Sequence, residues 1–422
     1  MAEDATPGLR APLSRPAFRM LWLAWLAGNM TMWMHEVVAA WRMAQLTDSP
    51  LLVAGVQAAG TLPLFLLGLA SGALADSLER RRFLAFAQAW IALTAAVLAV
   101  LAATDAMTPV TLLVLCLLNG VGLALRFPVF SALVPDMVPR EQLAAALTLN
   151  AVAINLTRVV GPIVAGAVLA SLGTVAVFVL NAAMSVLACW LILRARVATH
   201  ARPAARTPML SAIGQGLRHV HGSPVLRAVL LRAFVFFTQS VALVALLPLL
   251  AKRIGADATT YTALLAAMGA GAVLAAFALP RLPAAAARDR IVDAGVWLYA
   301  AATVAAVWAP DAWTLAPALA LSGAVWLCVA NTLTMSAQLV LPTALRARGM
   351  AIYQMSIMGG SAGGAALWGA VADRSSLTTA LLGSAAAAVV LLLVTRRVSI
   401  DERAAPEPCH PPGAARGAAA ME

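Results

Sequence analysis

The chain has 422 residues, of which 62% are hydrophobic and only 11% are charged, and its mean hydropathy is +0.88. This composition excludes a soluble globular protein and predicts an integral membrane protein. The net charge of +11 does not indicate a nucleic-acid partner, because the basic residues recur between apolar stretches instead of forming one basic surface.

Twelve apolar stretches are each long enough to cross a bilayer as a helix. A polar arm, 1–17, precedes them, and a tail rich in Ala, Pro and Gly, 398–422, is predicted to be disordered. The predicted fold class is therefore all-α integral membrane. The spans are 18–44, 51–76, 83–104, 109–131, 142–171, 174–197, 225–252, 259–280, 291–309, 313–340, 346–372 and 376–396.

The two halves of the chain resemble each other. Similar residues recur at a nearly constant shift: Pro135 and Pro342, Gly161 and Gly369, Asp48 and Asp257. Such a repeat predicts two pseudo-symmetric six-helix bundles, 18–197 and 225–397. The linker between them, 198–224, has apolar residues at helical spacing and is predicted to form a helix at the inner membrane surface.

The charges between the spans alternate in sign. Basic residues mark every second connection, most densely at Arg80–Arg82, whereas the other connections carry Asp48, Asp105, Asp257 and Asp311. By the positive-inside rule, the basic connections are predicted to lie in the cytoplasm. Both termini are then cytoplasmic, and no cleavable signal peptide is expected.

The connection after span 2 reads Gly-Ala-Leu-Ala-Asp-Ser-Leu-Glu-Arg-Arg-Arg from position 72. It resembles the signature between helices 2 and 3 of the major facilitator superfamily, although Ser77 and Glu79 depart from it. The matching residues are Gly72, Leu74, Ala75, Asp76, Arg80 and Arg81. The resemblance implies that Gly72, Asp76 and the arginines gate the protein, with Asp76 latched to the cytoplasmic end of span 11 in the outward-open state. The simpler alternative is a cytoplasmic turn held by positive charge.

Span 5 contains a second motif, in which Arg158 precedes Gly161, Pro162 and Gly166. It resembles the glycine-proline motif of exporters, in the subfamily that includes the enterobactin exporter and macrolide efflux pumps. Proline bends a helix and glycine allows a neighbouring helix to approach, so both gating and plain packing fit these residues. Arg158 lies deep in the span and must face the bundle interior, either as part of a gate or in a structural ion pair.

Of eighteen acidic residues, only Glu36, next to His35, falls in the interior of a span, and the others lie at span ends, in the connections or in the tails. A carboxylate within the membrane is typical of proton-coupled transporters, so Glu36 and His35 are predicted to carry the coupled proton. The alternative is that Glu36 lies near the outer surface and pairs with Arg42 or His35.

Other polar and aromatic residues in the spans are predicted to line a large, mostly apolar cavity and to bind substrate. Each of them alone could equally be a packing residue. They are Asn29, Trp33, Asn119, Arg232 and Gln239.

The resemblance implies a secondary transporter with two bundles rocking about a central cavity. Its predicted task is proton antiport that exports a small amphipathic molecule across a bacterial inner membrane. Siderophores, macrolide-like drugs and hydrophobic toxins are the candidate substrates, and Arg158 with Arg232 favours an anionic or catechol-bearing one. Partners are then the substrate, protons and the bilayer, and a monomer is expected.

Two alternatives remain from the sequence. An importer or lysophospholipid flippase of the same fold would share these features, and a membrane sensor would transport nothing. Glu36 and Arg158 argue against the sensor, which needs no ionisable group in its spans. The single lysine, Lys252, follows no glycine loop, so a nucleotide-binding loop is not expected. Neither catalytic nor metal-binding motifs stand out, so an enzyme, a cofactor and a nucleic-acid partner are not expected.

Overall fold

The computed structural model describes residues 8–77, 79–195, 220–278, 288–342, 346–396 and 399–400. Within these ranges, the side chains at 68–77, 131–132 and 347–348 are not described. The described residues are almost entirely helical and include no strand. The predicted linker helix and most of the predicted tail fall outside the described residues.

Twelve helical segments follow a short 3-10 helix, Ala11–Ser14. The helix Arg140–Arg194 contains a non-helical residue, Gly173 (φ 80°, ψ −178°), and its parts before and after Gly173 are called α5 (140–172) and α6 (174–194). The first four are α1 (Pro16–Leu46), α2 (Pro50–Ser77), α3 (Arg80–Ala103) and α4 (Pro109–Met137). The last six are α7 (Pro224–Arg253), α8 (Ala258–Ala278), α9 (Arg288–Trp308), α10 (Ala312–Val340), α11 (Arg346–Arg374) and α12 (Leu377–Thr395). This order is consistent with the twelve predicted spans.

Length and composition alone qualify nine of the described helices as membrane spans, with Arg140–Arg194 counted once. The two long helices that do not qualify are α1 and α11. Helix α1 carries Asn29, His35 and Glu36, and α11 is rich in glycine. Polar residues within a span normally face the protein interior, so α1 is expected to lie at the centre of the bundle.

Several helices begin with a side chain that accepts a hydrogen bond from the first turn. Asp257 accepts from the backbone N–H of Thr260 at 2.8 Å, and Asp311 accepts from that of Thr314 at 2.9 Å. These bonds stabilise the ionised carboxylates and hold the pKa of Asp257 and of Asp311 below the usual range. The aspartates therefore fix where α8 and α10 begin.

Successive helices run in opposite directions, so their ends gather at two faces. Ion pairs and hydrogen bonds join neighbouring ends, as between Arg80 and Asp136 (3.1 Å) on one face and between Lys252 and Asp48 (2.6 Å) on the other. The arginine face holds Arg80–Arg82, Arg140, Arg194, Arg288 and Arg290. The acidic face holds Asp48, Asp105, Asp257, Asp311 and Asp373.

Two apolar cores hold the helices together. The larger core takes buried residues from both halves, among them Met34 and Ala165 of the first half and Leu243 of the second. The smaller core, which includes Phe18 and Phe83, belongs to the first half alone. The halves thus share one core, while the first half keeps a core of its own near the arginine face.

Candidate functional site

Arg158 lies where the two halves meet. Its guanidinium carbon is 5.3 Å from the ring centroid of Trp33 in α1 and 4.9 Å from that of Trp326 in α10. A guanidinium over an indole face is attracted by the ring's negative quadrupole. Because Trp33 belongs to the first half and Trp326 to the second, Arg158 links the halves. The buried charge of Arg158 is therefore compensated in part by aromatic rings.

Two glycines of the span 5 motif bring neighbouring helices close to α5. A methyl group at Gly161 would lie 2.6 Å from Cβ of Trp33, and one at Gly166 would collide with Thr262 of α8. The close helix packing predicted from these glycines is confirmed, and their gating role stays a prediction. Pro162 keeps helical torsion angles, since the only interruption described within Arg140–Arg194 is at Gly173.

Glu36 faces the same junction. Gln57 of α2 lies near its carboxylate, and the positive charge of Arg158 attracts it. Arg42, which the sequence offered as an alternative partner, instead donates a hydrogen bond to Gln45 at 3.4 Å. Glu36 is therefore part of a group formed by α1, α2 and α5, and its neighbours are Gln57 and Arg158.

His35 faces a different environment from Glu36. Its ring packs 6.2 Å from that of Phe178, inside the first half, and neither ring nitrogen has a hydrogen-bond partner among the described residues. It shares a narrow polar space with Asn119, Asn181 and Ser185. The structure thus separates the two residues that the sequence paired as one proton-carrying unit, because neighbours along a helix point about 100° apart.

Asn119 also lies in that space, where its amide donates to Thr94 at 3.4 Å. The contacts described for Asn119 are therefore within the first half. Its predicted role in substrate binding draws no support from this location.

Arg126 in α4 is a buried charge to which the sequence analysis gave no role. It is 2% exposed, donates to Asn29 at 3.0 Å and lies 5.1 Å from the ring centroid of Trp25. Gly28 makes room for it, since a methyl group there would collide with the guanidinium. Asn29, predicted as a substrate ligand, accepts this hydrogen bond, and its role in substrate binding stays a prediction. The sequence does carry a signal for Arg126, the same one that singles out Arg158: a charged residue deep in an apolar span.

Arg232 is another residue predicted to bind substrate. It forms ion pairs with Asp289 at 2.6 Å and Asp293 at 3.7 Å, near the ends of α7 and α9 that lie at the arginine face. Its charge is already compensated there, so this location gives no support to its predicted role in substrate binding. Gln239, further along α7, is buried, and its carbonyl oxygen has no partner among the described residues.

The motif between α2 and α3 is described only in part. Gly72 and Asp76 lie within α2, but the side chain of Asp76, and with it the predicted latch to span 11, is not described. Arg80 pairs with Asp136, and Arg81 donates to the carbonyl of Ala195 at 3.3 Å. These contacts hold α3 against α4 and α6 within the first half.

Two helical halves that meet at ionisable residues define a class of protein, the membrane transporters of the major facilitator fold. A mutant form of the nucleoside transporter NupG superposes with a TM-score of 0.77, over 90% of this chain and 99% of that one, at 11% identity. That likeness shows the shared fold. The profile of the family described as transmembrane secretion effector matches residues 8–411. The chain belongs to that family, within the major facilitator superfamily.

Two relatives of known function are similar over part of the chain. The multidrug efflux pump Tap of Mycolicibacterium fortuitum is 32% identical over 200 residues, which cover 45% of this chain and 49% of that protein. The Staphyloferrin A transporter of Staphylococcus aureus is 25% identical over 139 residues, which cover 33% and 35% respectively. The chain thus matches about half or less of the length of these curated relatives.

Proposed function

We propose that this transporter exports a small amphipathic molecule across the bacterial inner membrane in exchange for protons, by alternating access. The observation that carries the proposal is the group formed by Glu36, Arg158, Trp33 and Trp326 at the junction of the halves. An ionisable residue within a span is costly, and such residues typically mark ion and substrate pathways. A scaffold or sensor needs no such group.

The direction of transport rests on the family and on the charges of the two faces. The family is described as one of secretion effectors, and one relative is an efflux pump. The arginine face is then cytoplasmic by the positive-inside rule, with both termini on that side. An importer or a lysophospholipid flippase of the same fold is the alternative, and the transport assay below separates it from an exporter.

The chemistry of the site favours an amphipathic substrate with a planar or anionic part. Two indole faces provide apolar surface, and Arg158 provides a positive charge between them. The indole N–H of Trp33 and the carbonyl oxygen of Gln239 have no hydrogen-bond partner among the described residues. Siderophores, including catechol-bearing ones, have these features, whereas a macrolide-like drug would use the apolar indole surface. With Arg232 compensated by aspartates, the case for an anionic substrate rests on Arg158 alone.

The first experiment identifies a substrate. Growth and intracellular accumulation are compared between a deletion strain and an overexpressing strain, across a panel of siderophores and antibiotics. Exporter activity predicts lower accumulation and better growth on overexpression. An importer gives the opposite sign.

The second experiment tests the coupling residue. Glu36→Gln keeps the shape of the side chain but cannot exchange a proton, so downhill substrate movement should survive while accumulation against a gradient is lost. Glu36→Asp should retain partial activity with an altered pH optimum, because its carboxylate is drawn back by one methylene. Uptake into everted vesicles is measured with and without an imposed pH gradient.

The matched control is Glu141→Gln, the same chemical change at an exposed position in the first turn of α5. It should respond to the pH gradient like the unmodified protein. A full response by Glu36→Gln would mean that Glu36 does not couple transport to protons.

A further inference from the structure

The two halves are joined on the acidic face by an outer layer of polar contacts. Lys252 Nζ at the end of α7 lies 2.6 Å from Asp48 Oδ1 and 3.3 Å from the carbonyl oxygen of Ala44. Ser49 Oγ donates to Asp373 Oδ1 at 2.6 Å, at the end of α11. Each contact pairs a residue that follows or ends α1 with a residue of the second half.

An aromatic layer lies deeper, between α1 and α8. The rings of Trp41 in α1 and Tyr261 in α8 stack with centroids 4.9 Å apart and an angle of 20° between their planes. They are 7% and 2% exposed. Tyr261 is also close enough to Glu36 for the carboxylate charge to act on it. Trp41 follows Glu36 along α1 toward the acidic face, and Tyr261 lies near the start of α8 at that face, so the stack lies on the acidic-face side of Glu36.

The neighbouring contact explains why Tyr261 reaches this position. Gly166 of α5 packs directly against Thr262, the residue that follows Tyr261 in α8. A side chain at position 166 would push α8 away and separate the rings. The glycine motif of α5 thus supports the stack from the side.

We propose that Trp41 and Tyr261 form the gate that closes the acidic face over Glu36, with Asp48–Lys252 and Ser49–Asp373 as its outer lock. This inference rests on the proposed alternating access. Its two rings come from opposite halves, so they must part whenever the halves separate at this face. The lock contributes less than the stack, because Asp48 is 90% and Lys252 50% exposed and solvent-exposed ion pairs stabilise weakly.

The test uses a cysteine placed beneath the stack. Gln57 is a neighbour of Glu36 and lies inside α2, which begins at the acidic face with Pro50, so Gln57→Cys reports access from that face. The four native cysteines are replaced by serine, and a membrane-impermeant maleimide is added to vesicles of known orientation. Labelling rates require neither substrate nor a proton gradient, so they test the gate separately from the proposed function.

Trp41→Ala or Tyr261→Ala should raise the labelling rate about tenfold, the change that follows from losing a buried aromatic pair. Tyr261→Phe is the matched control, because it keeps the ring and should stay within about twofold of the parent. Asp48→Asn should have an effect of about threefold or less, as expected for an exposed ion pair. Unchanged labelling in both folded alanine variants would overturn the gate.

A second readout separates failure of the gate from failure of proton coupling. In liposomes without substrate, Trp41→Ala should leak protons, measured with an enclosed pH dye, and adding Glu36→Gln should stop the leak. Faster labelling without a leak would support the gate and contradict proton transfer through Glu36.

A third variant serves if the alanine variants do not fold. Ser49→Cys with Asp373→Cys, oxidised to a disulfide before labelling, should hold the lock shut and suppress labelling at position 57. Reduction should restore it. Equal labelling of the oxidised and reduced forms would contradict a gate at this face.

Discussion

Three arginines buried in the helices show three ways of compensating a charge away from water. Arg232 is paired with two aspartates, Arg126 with amide oxygens and aromatic rings, and Arg158 with two indoles and a nearby carboxylate. An ion pair is the strongest of these arrangements and the hardest to rearrange. Arg158 is held mainly by cation–π contacts instead of a close ion pair, and these contacts come from both halves. Such contacts suit a residue whose surroundings would change during transport.

The polar space beside His35 allows a prediction about stability. Ser185 Oγ and both side-chain polar atoms of Asn181 are buried without partners among the described residues. Removing an unsatisfied buried polar group should stabilise the protein by about 1 kcal/mol, because its desolvation cost disappears. Ser185→Ala and Asn181→Leu should therefore raise the melting temperature in detergent.

Ser384→Ala is the control for this prediction. Ser384 is equally buried, but its hydroxyl donates to the carbonyl of Leu381 at 2.8 Å, so the same substitution should lower the melting temperature. A decrease for Ser185→Ala as large as that for Ser384→Ala would show that Ser185 has a partner in the folded protein.

Among the helices, α8 and α10 approach each other closely at two glycines. A methyl group at Gly271 would collide with the carbonyl oxygen of Ala320, and one at Gly323 with that of Met268. Backbone atoms of a helix cannot relieve a collision by changing rotamer, as side chains can. Gly271→Ala and Gly323→Ala should each destabilise the fold by about 1–3 kcal/mol, as overpacked core positions do, which thermal unfolding of the purified protein would measure.

Gly269 lies in the same helix as Gly271 and provides the comparison. No atom lies within 4 Å of a methyl group built at Gly269. Gly269→Ala should therefore be neutral or stabilise by about 0.5–1 kcal/mol, since alanine favours the helix. Equal losses at positions 269 and 271 would mean that helix contact is not the cause.

The helices themselves could be predicted from the sequence to within a few residues. Span 7 was expected at 225–252 and runs Pro224–Arg253, and the break expected between spans 5 and 6 falls at Gly173. Apolar length and the residues that cap or break helices are local signals, so they can be read along the chain. Contacts between residues far apart in the chain leave no local signal. For this reason the sequence does not predict the contact of Arg158 with Trp326 or that of Asn29 with Arg126.

At the scale of the whole molecule, the halves share an apolar core and contact each other at the acidic face. Under the proposed alternating access, a state in which that face opens requires contacts that hold the arginine face shut. The predicted latch supplies one, because the carboxylate of Asp76 would be attracted to the start of α11, where helix N-termini are positive. This contact remains a proposal that rests on the sequence motif.

The latch predicts a conformational shift. Asp76→Asn should reduce transport without loss of expression, and labelling of Gln57→Cys from the acidic face should fall about two- to fivefold, as expected for one charge at a helix terminus. Asp105→Asn, on the acidic face, should leave labelling unchanged. An unaltered rate in Asp76→Asn would contradict the latch.

The single lysine of this chain has a practical consequence for anyone who immobilises the protein. Lys252 bridges the halves through Asp48 and Ala44. Amine coupling to a sensor chip can therefore react, among the side chains, only at Lys252. Acylation at Lys252 removes the positive charge and inserts a linker between the two halves. Binding data from a chip prepared in this way would describe a protein with an altered closure, whereas capture through a terminal affinity tag leaves that contact intact.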